Sequence, residues 1–94
     1  MSDMEASPFS GPNLPLGQLE EILAEVYEML EELPPIAAVH ALYVHAAQCK
    51  AAIAAGRRHT FSGDVRRSLT AKVLHLETDT LAARRALMGR RKRR

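Results

Sequence analysis

The chain has 94 residues, enough for one domain with a modest hydrophobic core and too few for two. Apolar residues make up 47% of it and aromatic residues only 4%, and fifteen alanines favour helix over sheet. The net charge of +2 conceals a split, because residues 1–35 carry −8 and residues 57–94 carry +9. A single cysteine excludes an internal disulfide and a cysteine-rich zinc site.

Residues 1–13 are rich in Ser, Asp, Pro and Gly and lack periodicity, which predicts an irregular N-terminal arm. The arm does not show the basic-then-apolar pattern of a signal peptide. No apolar stretch of the chain reaches the roughly 18–20 residues that span a bilayer. We therefore expect a soluble, cytoplasmic protein without a membrane span.

A first helix is predicted over residues 15–33, with Pro15 in the first turn, where a missing N–H costs nothing. Its apolar residues recur at alternating spacings of three and four, as in the a and d positions of a coiled coil. They are Leu16, Leu19, Leu23, Val26, Leu30 and Leu33. Six glutamates occupy other positions and have no Lys or Arg one turn away in the same helix. Either a basic surface elsewhere faces them or they form a solvated acidic face.

A second helix is predicted over residues 35–55, because Pro34-Pro35 ends the first helix and Gly56 is a common helix stop. Its larger apolar residues fall on one broad side: Ile36, Val39, Leu42, Tyr43, Cys49 and Ile53. Alanines cover much of the remainder and Lys50 is its one Lys or Arg. A helix so poor in charge is expected to be the most enclosed of the three.

A third helix is predicted over residues 63–88, with Ser62 as its capping residue and Gly89 as the point where it frays. Its main apolar stripe comprises Val65, Leu69, Val73, Leu76, Thr80, Ala83 and Leu87. A second row, Leu74, Leu81 and Met88, repeats every seven residues about 100° around the helix. This row is either the edge of a broad core face or an interaction stripe that contacts another molecule.

Basic residues form two groups in the last third of the chain. The first surrounds the link before the third helix: Arg57, Arg58, His59, Arg66 and Arg67. Because helix N-termini favour anions, this group is a candidate site for an anion, a phosphorylated ligand or an acidic partner. The alternative is a solvated link that pairs with the acids of the first helix.

The second basic group is the C-terminal tail, Arg90, Arg91, Lys92, Arg93 and Arg94. Such a run binds nucleic-acid phosphates without sequence specificity, and it is equally typical of a solvated tail. The domain organisation predicted is thus an arm over 1–13, one helical domain over 14–89 and a basic tail over 90–94.

Motifs of catalysis and metal binding are missing from the sequence. There is no glycine-rich phosphate loop, nucleophile elbow or zinc-protease pattern. His45 and Cys49 share a helix face, but two ligands do not make a metal site, and an alanine-rich setting makes the thiol inert. We expect no enzyme activity, no cofactor and no bound metal.

The sequence predicts an all-α fold, either an antiparallel three-helix arrangement or two long helices with the first laid across them. We expect it to associate into a homodimer or higher oligomer through helix packing. The leading functional hypothesis is a non-catalytic regulatory module that docks on a protein partner as an inhibitor, adaptor or chaperone. The alternatives are a nucleic-acid-binding protein that uses the 57–67 cluster and the tail, or a binder of a small phosphorylated ligand.

Overall fold

The computed structural model describes residues 12–92, with side chains as far as Met88. Three helices follow one another: α1 (Leu16–Glu31), α2 (Ala37–Arg58) and α3 (Gly63–Lys92). Each helix packs against both others, and residues 12–92 contain no strand. The prediction of an all-α three-helix fold is confirmed. Most of the predicted arm, residues 1–11, lies outside the described part of the chain.

The start of α2 differs from the prediction by two residues. Pro35 is not the first helical residue, because Ile36 is extended, with φ −105° and ψ 167°, and the helix begins at Ala37. The Ile36 N–H donates to the Pro34 carbonyl at 2.8 Å, which makes a tight turn before the helix. Ile36 is consequently 42% exposed. Its spacing had suggested that it lies on the buried side of α2, and it does not.

The end of α2 also differs, because the helix passes through Gly56 and continues to Arg58. Gly56 has no positive φ, so it does not act as a left-handed stop. A Cβ atom on Gly56 would lie 2.8 Å from the Phe61 ring and 3.1 Å from a Leu16 methyl group. The glycine therefore serves a close approach between α2, the following link and the start of α1.

The link into α3 is four residues long and ends in the predicted cap. The Val65 N–H donates to Ser62 Oγ at 3.2 Å, which satisfies one of the free donors at the helix N-terminus. At its other end α3 continues through Gly89 to Lys92, beyond the residue where we expected it to fray. Within residues 12–92, no helix is long and apolar enough to cross a membrane.

The core follows the leucine seam predicted for α1. Its buried members have at most 8% of their surface exposed: Leu19, Leu23, Val26, Leu30 and Leu33. They meet Val39, Ala46, Cys49 and Ile53 of α2 and Leu69, Val73 and Leu76 of α3. Leu16 is half-buried at the edge of this core.

The expectation that α2 is the most enclosed helix is wrong. Its outer surface is formed largely by exposed small residues, including Ala37, Ala41, Ala47, Ala51 and Ala54. An alanine methyl group gains little from burial, so a helix can leave many of them in water at small cost. Lys50 remains exposed, and its ammonium group lies 5.8 Å from the centre of the Tyr27 ring.

The glutamates of α1 and its C-cap are partly matched by basic side chains of the other helices. Glu20 pairs with Arg57 of α2, and Glu32 Oε1 lies 3.2 Å from Arg84 Nε of α3. Among the described residues, Glu21, Glu25 and Glu28 are exposed and have no basic side chain within ion-pair distance. Both sequence interpretations of the acidic face therefore hold in part.

Two fully buried threonines of α3 differ in how their hydroxyl groups are satisfied. Thr70 Oγ1 donates to the Arg66 carbonyl at 2.8 Å and accepts from the Leu14 N–H at 3.2 Å. Thr80 Oγ1 has no hydrogen-bond partner among the described residues. A buried hydroxyl without a partner lowers stability, because it has lost its bonds to water and gained none.

Replacing Thr80 with Val is therefore expected to raise the free energy of unfolding by about 1–2 kcal/mol, since the shape is kept and the unsatisfied hydroxyl is removed. The matched change Thr70→Val removes two hydrogen bonds and is expected to lower it by about 1–2 kcal/mol. Urea denaturation of the two variants beside the parent chain measures both. If Thr80→Val destabilises as much as Thr70→Val does, the Thr80 hydroxyl has a partner in solution.

Candidate functional site

A groove of about 520 Å³ lies between α2 and α3. Its walls come from α2, α3 and the link residue Phe61, so it opens on the side of the bundle away from α1. Along α3 the lining extends from Val65 to Asp79, which is about 21 Å at 1.5 Å per residue. The groove therefore has the length of a helix of three to four turns.

The floor of the groove is apolar. Cys49, Leu69 and Leu76 are buried at its base, Ala52 and Phe61 are half-buried, and Val65 is 48% exposed. Val65, Leu69 and Leu76 follow the four- and seven-residue spacing of one helix face, so α3 offers a continuous apolar edge. Val65 is the most exposed of the large apolar side chains in the described part of the chain.

The rim of the groove is polar and exposed. His45 and Gln48 line the α2 side, and Ser68, Lys72, His75 and Asp79 line the α3 side. Lys72 is the one Lys or Arg on the rim and Asp79 the one carboxylate, with a histidine on each side. An apolar floor between polar edges is the usual anatomy of a surface that receives another apolar side chain or helix.

Cys49 lies at the base of the groove and is 5% exposed. Burial raises the pKa of its thiol above the ordinary value, and the positive charge of Lys72 opposes this only in part. The thiol is therefore neutral at physiological pH and a poor nucleophile or metal ligand. Among the residues that the structure describes, no three His, Cys, Asp or Glu side chains lie close enough to hold a metal ion.

The predicted basic cluster is spread over two helix ends. Arg57 and Arg58 belong to the last turn of α2, where positive charge compensates the negative end of the helix dipole. His59 lies in the link, whereas Arg66 and Arg67 lie in the first turn of α3. A shallow cavity of about 280 Å³ brings together Arg57, Arg58, His59 and Arg66, but Arg67 does not line it.

Most of these arginines already have partners within the chain. Arg57 makes two hydrogen bonds to the Glu20 carboxylate, which lowers the pKa of Glu20 and raises that of Arg57. Arg66 Nε donates to Asn13 Oδ1 at 2.8 Å, and Arg67 Nη1 lies 3.1 Å from Asp64 Oδ1. Arg58 and His59 are exposed, and their side chains make no hydrogen bond or ion pair with another described residue. Most arginines of the cluster are therefore engaged in hydrogen bonds and ion pairs within the chain.

The second apolar row of α3 divides into two parts. Met88 is half-buried and packs against the core. Leu74 and Leu81 are not among the residues that pack against the core; Leu74 is half-buried and Leu81 is 41% exposed. The tail residues Arg90, Arg91 and Lys92 continue α3 as helix, and their side chains are not among those described. Arg93 and Arg94 lie outside the described residues.

Sequence reasoning missed the groove because it assigned Val65, Leu69 and Leu76 to one core-facing stripe. Two of these three side chains are indeed core residues, but the stripe turns outward at Val65. The exposed alanines and the aromatic residue in the link were the available signals. These residues do not determine how far apart α2 and α3 lie, because that distance depends on how both helices pack against α1.

Comparisons with known proteins provide no relative for this chain: no protein-family model, curated protein sequence or solved structure matches it.

Proposed function

We propose that this chain is a non-catalytic interaction module that binds a partner protein in the groove between α2 and α3. The observation that carries the proposal is an open channel between two helices with an apolar lining, in which Val65 is 48% exposed and Phe61 is half-buried above the buried Leu69 and Leu76. Such a channel accepts one apolar side of an amphipathic helix, which then packs on α2 and α3 as a fourth helix.

The dimensions of the groove support a helical occupant. A channel of about 21 Å holds about 14 helical residues, enough for apolar contacts at i, i+3, i+4, i+7 and i+11. The small side chain of Ala52 on one wall allows the backbone of an incoming helix to approach closely. On the rim, Lys72 can pair with a carboxylate of the partner and Asp79 with a basic side chain, which gives orientation more than affinity.

Replacing Val65 with Glu is expected to weaken partner binding by about 10- to 100-fold, because the change removes apolar contact and forces a carboxylate into the bound interface. Val65 lies in the first turn of α3, where a negative charge suits the helix dipole, so the variant keeps its fold. The tagged full chain captures its partner from cells of its own source, and titration calorimetry with the purified partner then measures the affinity.

Val44→Glu is the matched control, because Val44 is 41% exposed on α2 but does not line the groove. Helical content by circular dichroism verifies that both variants fold. Loss of the partner by Val65→Glu with retention by Val44→Glu supports the groove as the docking site. Equal binding by both variants, or equal loss, refutes it.

A further inference from the structure

Contacts between α3 and residues just before and just after α1 show how these two helices lie side by side. Asn13 is bonded to Arg66 and Glu32 is paired with Arg84, which are offsets of 53 and 52 positions. The Leu14 N–H also donates to Thr70 Oγ1, an offset of 56 positions. Because later residues of this segment contact later residues of α3, α1 and α3 run parallel, and a residue of α1 lies level with α3 residues about 52 to 56 positions later.

This register brings four apolar side chains together at the outer edge of the α1–α3 contact. Ile22 therefore lies within about one helical turn of the level of Leu74, and Met29 within about one turn of the level of Leu81. The two residues of each helix are seven apart and so share one side of it. Ile22, Met29 and Leu74 are half-buried and Leu81 is 41% exposed. We call these four residues the α1–α3 patch.

Charges of opposite sign border the α1–α3 patch. Glu25 and Glu28 lie on the α1 side, one turn from Ile22 and beside Met29, and neither has a basic partner among the described residues. Arg85 lies on the α3 side, one turn beyond Leu81, and is exposed without an ion pair to any described residue. The patch therefore has an acidic edge and a basic edge.

We propose that the α1–α3 patch is the contact of a homodimer whose two-fold axis runs along the bundle. Rotation about that axis lays α1 of one copy over α3 of the other at the same level. Leu74 and Leu81 then meet Ile22 and Met29 of the second copy. Arg85 reaches Glu28 of the second copy, and by symmetry this pair forms twice.

The charges disfavour the other face-to-face arrangement. A two-fold axis across the helices would place α1 on α1, with the carboxylates of Glu25 and Glu28 close to those of the second copy. Such like-charge contacts disfavour association. The groove between α2 and α3 lies elsewhere on the bundle, so the dimer leaves it open and this inference does not depend on the proposed function.

The test is the molecular mass of the full chain in solution, by sedimentation equilibrium from about 1 to 100 µM. The parent chain is expected to show twice the monomer mass of 10.4 kDa as concentration rises. Leu81→Glu is expected to weaken dimerisation by about 10-fold or more, since it places a carboxylate in the apolar contact. Val44→Glu, at an equally exposed residue of α2, is expected to leave the dimer intact.

Charge reversal tests the orientation separately. Glu28→Arg alone and Arg85→Glu alone are each expected to weaken the dimer, and the double variant is expected to restore it. A monomeric parent chain over the whole concentration range, or a dimer unaffected by Leu81→Glu, overturns the proposal. Failure of the double variant to recover overturns the axis along the bundle. The Val65→Glu variant remains a dimer, which separates this result from failure of the groove.

Discussion

Replacing Ile53 with Ala is expected to lower the free energy of unfolding by about 2–5 kcal/mol, which is a large part of the roughly 5–15 kcal/mol that stabilises a domain of this size. Ile53 is 2% exposed in α2 and belongs to the core that all three helices share. The substitution removes buried methyl and methylene groups and leaves a cavity that neighbouring helices fill only in part. Denaturant unfolding followed by circular dichroism measures the loss.

Ile36→Ala is the matched control, because it is the same substitution at a residue that is 42% exposed. Its expected cost is about 1 kcal/mol or less, since little apolar surface returns to water. The sequence pattern places both isoleucines on one side of the second helix, whereas the structure buries only one. Equal destabilisation by the two variants would show that Ile36 packs in solution as the periodicity predicted.

The leucine seam of α1 could be predicted because each member is large, apolar and separated from the next by three or four residues. An α-helix places Leu19, Leu23, Val26 and Leu30 on one face, and all four are buried. Six carboxylates on the remaining positions strengthen the pattern, since they identify the side that must face water. The number of helices and their order followed from the same reasoning.

Alanine and glycine limited the prediction of α2. Alanine is compatible with both burial and exposure, so Ala46 is buried while Ala47 is exposed, and composition does not distinguish them. Gly56 resembles a helix stop in sequence, but its role depends on Phe61 and Leu16, which approach it from other parts of the chain. Such a close approach is a property of the packed structure and cannot be recognised from neighbouring residues.

The basic cluster shows the same limit for the candidate site. In the structure, Arg57, Arg58, His59 and Arg66 line one shallow cavity. The sequence did not indicate that Glu20 and Asn13, which are 37 and 53 positions away, would occupy two of the guanidinium groups. The number of unpaired basic side chains in a cluster can be counted only after these distant partners are known.

The groove between α2 and α3 and the α1–α3 patch differ in shape and charge, and we propose different occupants for them for this reason. The groove is concave, with an apolar floor and a polar rim that carries one basic and one acidic side chain, Lys72 and Asp79, so it suits a helix from another protein. The α1–α3 patch has one acidic and one basic edge, and a two-fold rotation makes it complementary to itself. A chain with −8 in its first part and +9 in its last part can thus match charges with its own copy.

The thiol of Cys49 is expected to react with a maleimide about 100-fold more slowly in the native chain than in the unfolded chain. Two causes act together: the residue is 5% exposed, and burial raises the pKa of the thiol so that less thiolate is present. Because the chain contains one cysteine, mass spectrometry of the labelled protein follows this residue alone. Equal rates in buffer and in concentrated urea would mean that the groove floor is open in solution.

The raised pKa of Cys49 also predicts how stability changes in alkaline solution. The unfolded chain loses the thiol proton near the ordinary pKa of 9.0, whereas the folded chain retains it to higher pH. The contribution of the buried neutral thiol to the free energy of unfolding is therefore fully present below pH 9.0, and it declines as pH rises toward the folded-state pKa. Cys49→Ala removes this titration and keeps all others, so the stability advantage of the parent chain over the variant should shrink between neutral pH and pH values above 9.0. An advantage that stays constant with pH would place the thiol in a wet, unperturbed environment and contradict its position beneath the groove.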